Sequence, residues 1–484
     1  MSKLTPLDRD RQRRTSSYKW MTFPWFQRIF RNEPQSYKNR LSFIVGSCLY
    51  PGTQFDRSRS DSVFNAIFQH IESDQQLEGK RLKTLEDQGP GNQGSNINRY
   101  PGIDHLLIVG DIIYADATAD FCDPNSKYEQ FKGSYRNALN GEERFAKRVF
   151  SNVPTYFAND DHEIENNWDG ETEDLDDLKK LESAKQEAYR YLTLAATGWK
   201  DFKHIWHEFS SLDCPFFVFD TRLERDPKGR HGAQTMVSEE QFAGFKAWLH
   251  SARTKAAKTI FIVSGTPLAP VKRDFARFPK CLVNQDNLLA FPIFLGDILD
   301  ALNKLKNTIE KELKEELEER KKSGIEENGI KKQLIAEKEI IWLTGDPHFS
   351  SANRIILKRH NSSESEQVAI LNVCASGLYC PIPFVNDNMR SYDFVDPHDN
   401  REPVFNRKRK GVMSIDLDHG LSVHLEQHFI TDDPQHFVRF DMDEDRIRIS
   451  AFNAENESVG KSFTEPRLKR IVDQSIPKGT KKTT

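Results

Sequence analysis

The chain has 484 residues, of which 37% are hydrophobic and 29% are charged, so it can build the core of one large globular domain or of two ordinary ones. Its formal net charge of −4 offers no overall attraction to nucleic acid or acidic membranes, and we expect no stable nucleic-acid binding. No apolar run approaches the roughly 20 residues that span a bilayer, and six scattered cysteines without a C-x-x-C pair favour reduced thiols over a disulfide framework.

The first 40 residues are predicted to form a basic and aromatic arm. The pair Arg13-Arg14 resembles the start of a twin-arginine export signal. Such a signal needs an uninterrupted apolar region, and here Pro24 and Arg28 interrupt the aromatic residues that follow. We therefore expect a cytoplasmic protein, and export stays open as the alternative.

An alternation of buried strands and helices begins at residue 41. The predicted strands are 42–47, 105–110, 154–158, 215–222 and 259–270, and the predicted helices lie near 60–73, 140–149 and 238–252. Residues 298–338 are predicted to form a helical hairpin, inserted before the last strand of this part, because 298–322 carry apolar residues at helical spacing. Its many charges are typical of a solvated helix face, and a coiled-coil site for a protein partner is the alternative.

The pattern of apolar residues changes to a period of two after residue 410. The segments 412–418, 421–430 and 446–452 are predicted to be antiparallel strands. Residues 456–484 are predicted to be a basic C-terminal tail, which leaves 41–455 as one domain. Strands that alternate with helices early and pair with one another late predict an α/β layered sandwich of two mixed sheets flanked by helices.

Four apolar runs end directly on side chains of metal-ligand type. These runs are SFIVGSC (42–48), VGDIIYAD (109–116), VPTYFANDDHE (153–163) and IIWLTGDPH (340–348). Because ligands bind at the carboxyl ends of the strands in α/β sheets, we expect these side chains to meet at one edge. They are Cys48, Asp111, Tyr114, Asp161, His162, Asp346 and His348. The sequence thus predicts a metal centre assembled from distant parts of the chain.

The density of carboxylates supports this prediction. A single strand-end carboxylate such as Asp111 is also compatible with a helix cap or a buried ion pair. That alternative explains less well why the pattern recurs at Asp346 and why three carboxylates surround His162 in DDHE. Like charges this close repel one another unless a cation neutralises them.

The combination of GSC (46–48), GDIIYAD (110–116), NDDHE (159–163), FDTR (219–222) and GDPH (345–348) resembles one enzyme family. In order and spacing it is similar to the alkaline phosphatase D (PhoD-like) branch of the calcineurin-like metallophosphoesterases. The resemblance covers residues 41–380, and it implies metal-dependent hydrolysis of phosphoric esters by a hydroxide activated between two metal ions. A phosphomonoesterase, a phosphodiesterase or both are implied, with a small-molecule, lipid or nucleotide ester as substrate.

The same resemblance implies a set of metal ligands. Asp111 would bridge the two ions, and the two shells would be completed by Cys48, Tyr114, Asp161, Asp346 and His348. Fe³⁺ with Ca²⁺ is implied, and the ligand types agree, since thiolate and phenolate suit ferric iron and carboxylates suit calcium. Other divalent metals remain possible.

The candidate catalytic residues are His162, Asp160 and Arg222. His162 would stabilise the transition state or protonate the leaving oxygen, and its alternative is a metal-bound or core histidine. Arg222 would clamp the substrate phosphate, or else form a structural ion pair with Asp220 or another carboxylate. The alternative function is a catalytically silent scaffold that binds partners through 298–338. A nuclease, the third hypothesis, would require a basic groove.

Overall fold

A computed structural model describes residues 40–50, 58–72, 103–115, 127–140, 145–166, 168, 170, 175–193, 204–226, 235–272, 287–322, 338–360, 366–379, 391–395 and 412–467. The strands are β1 Leu41–Gly46, β2 His105–Val109, β3 Thr155–Ala158, β4 His207–Ser211, β5 Cys214–Val218, β6 Thr259–Ser264, β7 Glu339–Thr344, β8 Ser350–Arg359, β9 Val368–Cys374, β10 Val412–Leu417, β11 Leu421–Thr431, β12 His436–Met442, β13 Arg446–Asn453 and β14 Ser458–Pro466. The helices are α1 58–72, α2 Lys127–Asn140, α3 Phe145–Asn152, α4 Leu175–Ala188, α5 Glu239–Leu249, α6 Ala252–Ala256 and α7 Pro292–Lys322.

The strands form two mixed sheets. The first has six strands in the order β14-β13-β12-β1-β2-β3, and the second has eight in the order β10-β11-β8-β9-β7-β6-β5-β4. In the first, β1, β2 and β3 run parallel. In the second, β5, β6, β7 and β9 run parallel. The C-terminal strands pair antiparallel in both, as the period-two pattern predicts. The α/β sandwich of two mixed sheets is confirmed.

The layers follow from the burial of both strand faces. Along β1, Phe43 and Val45 point into the core between the sheets, whereas Ile44 points to the outer face that α1 to α4 cover. Both faces of the parallel strands are thus dry, which explains their nearly continuous apolar sequences. The outer face of the eight-stranded sheet is covered by α5 and α7. Helix α5 begins where its sequence predicts, because the Ser238 hydroxyl accepts the N–H of Gln241 at 3.2 Å.

Only the first helix of the predicted hairpin at 298–338 lies within the described residues, and its start differs from the prediction. One helix begins at Pro292, six residues earlier than predicted, with proline in the first turn, where its missing N–H costs nothing. The apolar face of α7 packs into the core as far as Ile309, so this part has no free seam for a coiled-coil partner. The predicted second helix lies in 323–337, outside the described residues. No helix in the described part of the chain is long and apolar enough to cross a membrane.

The predicted C-terminal tail also begins too early. Strand β14 occupies Ser458–Pro466 and pairs with β13 at the edge of the six-stranded sheet. Phe463 alone in β14 is fully buried and joins the core between the sheets. Val459 is partly buried against the same core, and an edge strand with only two inward apolar residues has little hydrophobic pattern, which explains the error. The N-terminal arm lies outside the described residues, except for its last residue, Arg40.

Candidate metal centre

The carboxyl ends of parallel strands from both sheets meet at one place. Cys48 follows β1, Asp111 follows β2, Asp161 follows β3, and Asp346 follows β7 of the other sheet. The contact between the sheets is very close: a Cβ added at Gly345 would lie 2.1 Å from the carbonyl oxygen of Val109. Glycine is therefore required directly before Asp346, since any side chain would push the two strand ends apart.

The ligand-type side chains form three overlapping groups. Within each group the ligand atoms lie within 4.8 Å of one another, and the groups are Cys48/Asp111/His348, Asp111/Asp161/His162 and Asp160/Asp161/Asp346. Asp161 belongs to two of these groups, and so does Asp111, the candidate bridging ligand. Its Oδ2 lies 3.2 Å from the Cys48 sulfur and 3.4 Å from the Tyr114 hydroxyl, and no described residue donates a hydrogen bond to its Oδ1. A buried carboxylate oxygen without a donor fits a cation.

Backbone strain is concentrated at the same residues. Among the described residues, seven other than glycine have a positive φ. Four of them are candidate ligands: Cys48 (φ 59°), Asp111 (51°), Asp346 (81°) and His348 (57°). This left-handed conformation is unfavourable for a residue with a side chain and is kept where the surrounding fold imposes it, commonly at functional sites.

The electrostatics of the site disfavour ionised ligands unless a cation is bound. Burial, followed by the charge of Asp346, raises the pKa of the Cys48 thiol to about 12. Burial also raises the pKa of Asp111, and the neighbouring Cys48, Asp161 and Asp160 raise it further. A cation among these groups opposes both causes, because it favours the deprotonated forms that bind it. The donor set and its charge thus fit a metal centre.

Tyr114 and His162 lie against each other beside the carboxylates. Their ring centroids are 4.2 Å apart. Tyr114 is fully buried, whereas His162 is 7% exposed. Since a ligand atom of His162 lies within 4.8 Å of Asp111 and Asp161, its geometry is compatible with a metal ligand and with a proton donor next to the metals.

Arg222 forms a buried ion pair next to the candidate ligands. It is 1% exposed, its Nε donates to the carboxylate of Asp160, and its Nη1 donates to the carbonyl of Trp168 at 3.0 Å. Its Nη2 lies 3.8 Å from the carboxylate of Asp161. Of the two interpretations of Arg222, this geometry favours the structural ion pair, and the partner is Asp160. Asp220 instead accepts hydrogen bonds from backbone N–H groups, including that of Arg222.

Glu163 has a role in the site that its place in the sequence does not predict. Its buried carboxylate accepts four backbone N–H groups. At Oε1 they come from Ile112 (2.6 Å) and Ile113 (3.2 Å), and at Oε2 from Asp111 (3.2 Å) and Asp160 (2.6 Å). Glu163 thereby ties the loop after β2 to the loop after β3. Its only signal in the sequence is its place at the end of DDHE.

The chain matches a known protein family. A family model described as PhoD-like phosphatase matches residues 87–423, more than two thirds of the chain. The match contains every candidate ligand except Cys48. No curated protein matches the sequence.

Three solved structures are similar to the chain. A structure of PhoD has 13% identity and a TM-score of 0.47, and the match covers 88% of this chain and 70% of that one. A purple acid phosphatase from yellow lupin seeds has 12% identity and a TM-score of 0.41, over 88% of this chain and 53% of that one. GAP50, the anchor in the inner membrane complex of Plasmodium, has 11% identity and a TM-score of 0.37, over 89% and 90%. All three TM-scores lie below 0.5, so the assignment depends on the family model: the chain is a phosphatase that belongs to the PhoD-like phosphatase family.

Proposed function

We propose that this phosphatase hydrolyses phosphoric monoesters, diesters or both at a centre of two metal ions. The observation that carries the proposal is the position of Asp111, whose carboxylate belongs to two groups of ligand atoms from both sheets. The proposed ligands are Cys48, Asp111, Tyr114, Asp161, Asp346 and His348. Fe³⁺ with Ca²⁺ is the proposed pair. The thiol and the phenol next to Asp111 support iron, and the cluster of three carboxylates, Asp160, Asp161 and Asp346, supports calcium.

When bound, such ions polarise phosphoryl oxygens and lower the pKa of water towards neutrality. The protein itself supplies orientation and a proton. A ligand atom of His162 lies within 4.8 Å of Asp111 and Asp161, and its ring is held against Tyr114, so we assign it the protonation of the leaving oxygen. Asp160 and Arg222 are assigned to positioning, because their buried ion pair holds the loop that carries Asp161.

The proposed substrate is a small phosphate ester, which includes a nucleotide or a lipid headgroup. The proposed location is the cytoplasm. The described cysteines outside the proposed metal centre support it, since Cys214 and Cys374 are buried free thiols, as expected in a reducing compartment. A fluorescent fusion of the full chain tests the location, and a signal outside the cytoplasm would contradict it.

The experiment that tests the activity combines elemental analysis with turnover. The purified protein is stripped of metal, reloaded with iron, calcium or both, and assayed on a chromogenic phosphate monoester and a chromogenic diester. We expect two metal equivalents per chain and the highest turnover with both metals present. Turnover that persists in the stripped protein would refute the metal requirement. Digestion of single- and double-stranded DNA, run in parallel, separates this function from a nuclease.

A further inference from the structure

The hydroxyl of Ser376 contacts two of the proposed ligands at once. Ser376 follows β9 and is 1% exposed. Its Oγ lies 3.0 Å from the sulfur of Cys48, and it accepts the backbone N–H of His348, also at 3.0 Å. Cys48 follows β1 of the six-stranded sheet, whereas His348 lies between β7 and β8 of the eight-stranded sheet.

The direction of these hydrogen bonds follows from their chemistry. The N–H of His348 can only donate, so it uses a lone pair of the Ser376 oxygen and leaves the O–H proton available. The Cys48 sulfur is the neighbour to which that proton can be donated. A cysteine ligand binds metal as the thiolate, which only accepts hydrogen bonds. The arrangement therefore provides an O–H donor to the thiolate form of Cys48.

Ser376 is itself held by a second layer of hydrogen bonds. Its backbone N–H donates to the Ser350 hydroxyl at 3.3 Å, and that hydroxyl lies 2.6 Å from Nε2 of His436. Nδ1 of His436 lies 2.5 Å from the carbonyl of Asp433, so Nδ1 carries the hydrogen and Nε2 must accept from Ser350. The next residue must be glycine, because a Cβ at Gly377 would lie 2.7 Å from the ring of His436.

We propose that Ser376 is a positioning residue of the metal centre, which holds the Cys48 sulfur and the His348 backbone in their strained conformations and donates a hydrogen bond to the Cys48 thiolate. This inference rests on the proposed function, in which Cys48 and His348 are ligands. Partners of metal ligands typically change metal affinity by about 10–100-fold when they are removed, and hydrogen bonds to sulfur tune the electronic properties of a metal–thiolate bond.

The test uses Co²⁺ alone as a spectroscopic probe of the stripped full-length protein. Wild type is expected to develop a thiolate-to-cobalt charge-transfer band that Cys48→Ser lacks, which identifies the band. Ser376→Ala is expected to shift this band to longer wavelength, because a thiolate that has lost its donor is richer in electrons, and to weaken Co²⁺ binding by about 10–100-fold.

The matched control is Ser264→Ala. Ser264 is an equally buried serine at the end of β6, and its hydroxyl is bonded to Trp342 and to the carbonyl of Thr266. This variant should keep the wild-type band and affinity. An unchanged band and affinity in Ser376→Ala, or an equal loss in Ser264→Ala, would overturn the proposal while the metallophosphatase function stands.

Two further results complete the test. If Ser376→Ala does not fold, Ser376→Thr, which keeps a hydroxyl, replaces it. Retention of the band is then expected, and its loss would overturn the proposal. If wild type itself binds Co²⁺ without a thiolate band, Cys48 is not a ligand, and the inference falls together with that part of the proposed function.

Discussion

Replacing Glu163 by glutamine tests whether one buried carboxylate holds the ligand loops in place. Each of its oxygens accepts two backbone N–H groups. A glutamine has one acceptor oxygen, so in either orientation two of the four N–H groups would face an NH₂ group instead of an acceptor. Leaving a buried donor unsatisfied costs about 1–3 kcal/mol, which predicts a loss of about 2–6 kcal/mol in the free energy of unfolding.

The same change is expected to reduce activity. Two of the four N–H groups belong to Asp111 and Asp160, so the loops after β2 and β3 lose their common support. A displacement of about 1 Å at a reacting centre can cost on the order of 10²-fold in rate, and we expect a loss of this size in kcat/KM, with weaker metal retention.

Urea unfolding, metal analysis and turnover of a chromogenic phosphate ester measure the three effects. Glu187→Gln is the matched control, because Glu187 is equally buried but its carboxylate pairs with Arg190 and not with a ligand loop. This control should stay within about threefold of wild-type activity. If Glu163→Gln lost less than about 1 kcal/mol and kept wild-type turnover, or if both variants behaved alike, the loop-tying role would be refuted.

Four other predictions follow from the site and the core. Asp111→Asn should lower kcat more than tenfold, equivalent to about 1.4 kcal/mol, with an unchanged circular dichroism spectrum; a metal-loaded variant above one tenth of wild-type kcat would contradict the bridging role. His162→Ala should lower kcat by about 10²–10⁴-fold with metal content retained, and loss of metal instead would make it a ligand. Tyr114→Phe should bleach the visible phenolate-to-iron band of iron-loaded protein, and a colourless active wild type would refute the iron assignment. Burial lowers the pKa of His105 from 6.5 to about 3, so the free energy of unfolding falls by about 1.4 kcal/mol per pH unit as the pH drops from 6.5 to about 3; urea unfolding of His105→Phe should lack this share of the acid sensitivity, and equal slopes would contradict it.

Much of the fold and the composition of the site could be predicted from the sequence. The strands that end at Cys48, Asp111 and Asp346 were recognisable because both of their faces are buried, which leaves continuous apolar runs in the chain. The glycine before each aspartate marked the strand ends. The edge strand β14 was missed and the start of α7 was placed too late, because two inward side chains in an edge strand, or a proline-led first turn, leave little pattern.

What only the tertiary structure decided is how these side chains are held. Three contacts show this: Glu163 accepts backbone N–H groups from another loop, Arg222 pairs with Asp160, and Ser376 contacts Cys48. The residues in these contacts lie as far as 328 positions apart in the chain. A residue's type and its burial leave a local trace in the sequence, since they repeat with the period of a strand or helix. A hydrogen bond between two loops leaves none, because its geometry exists only once the two sheets have packed against each other.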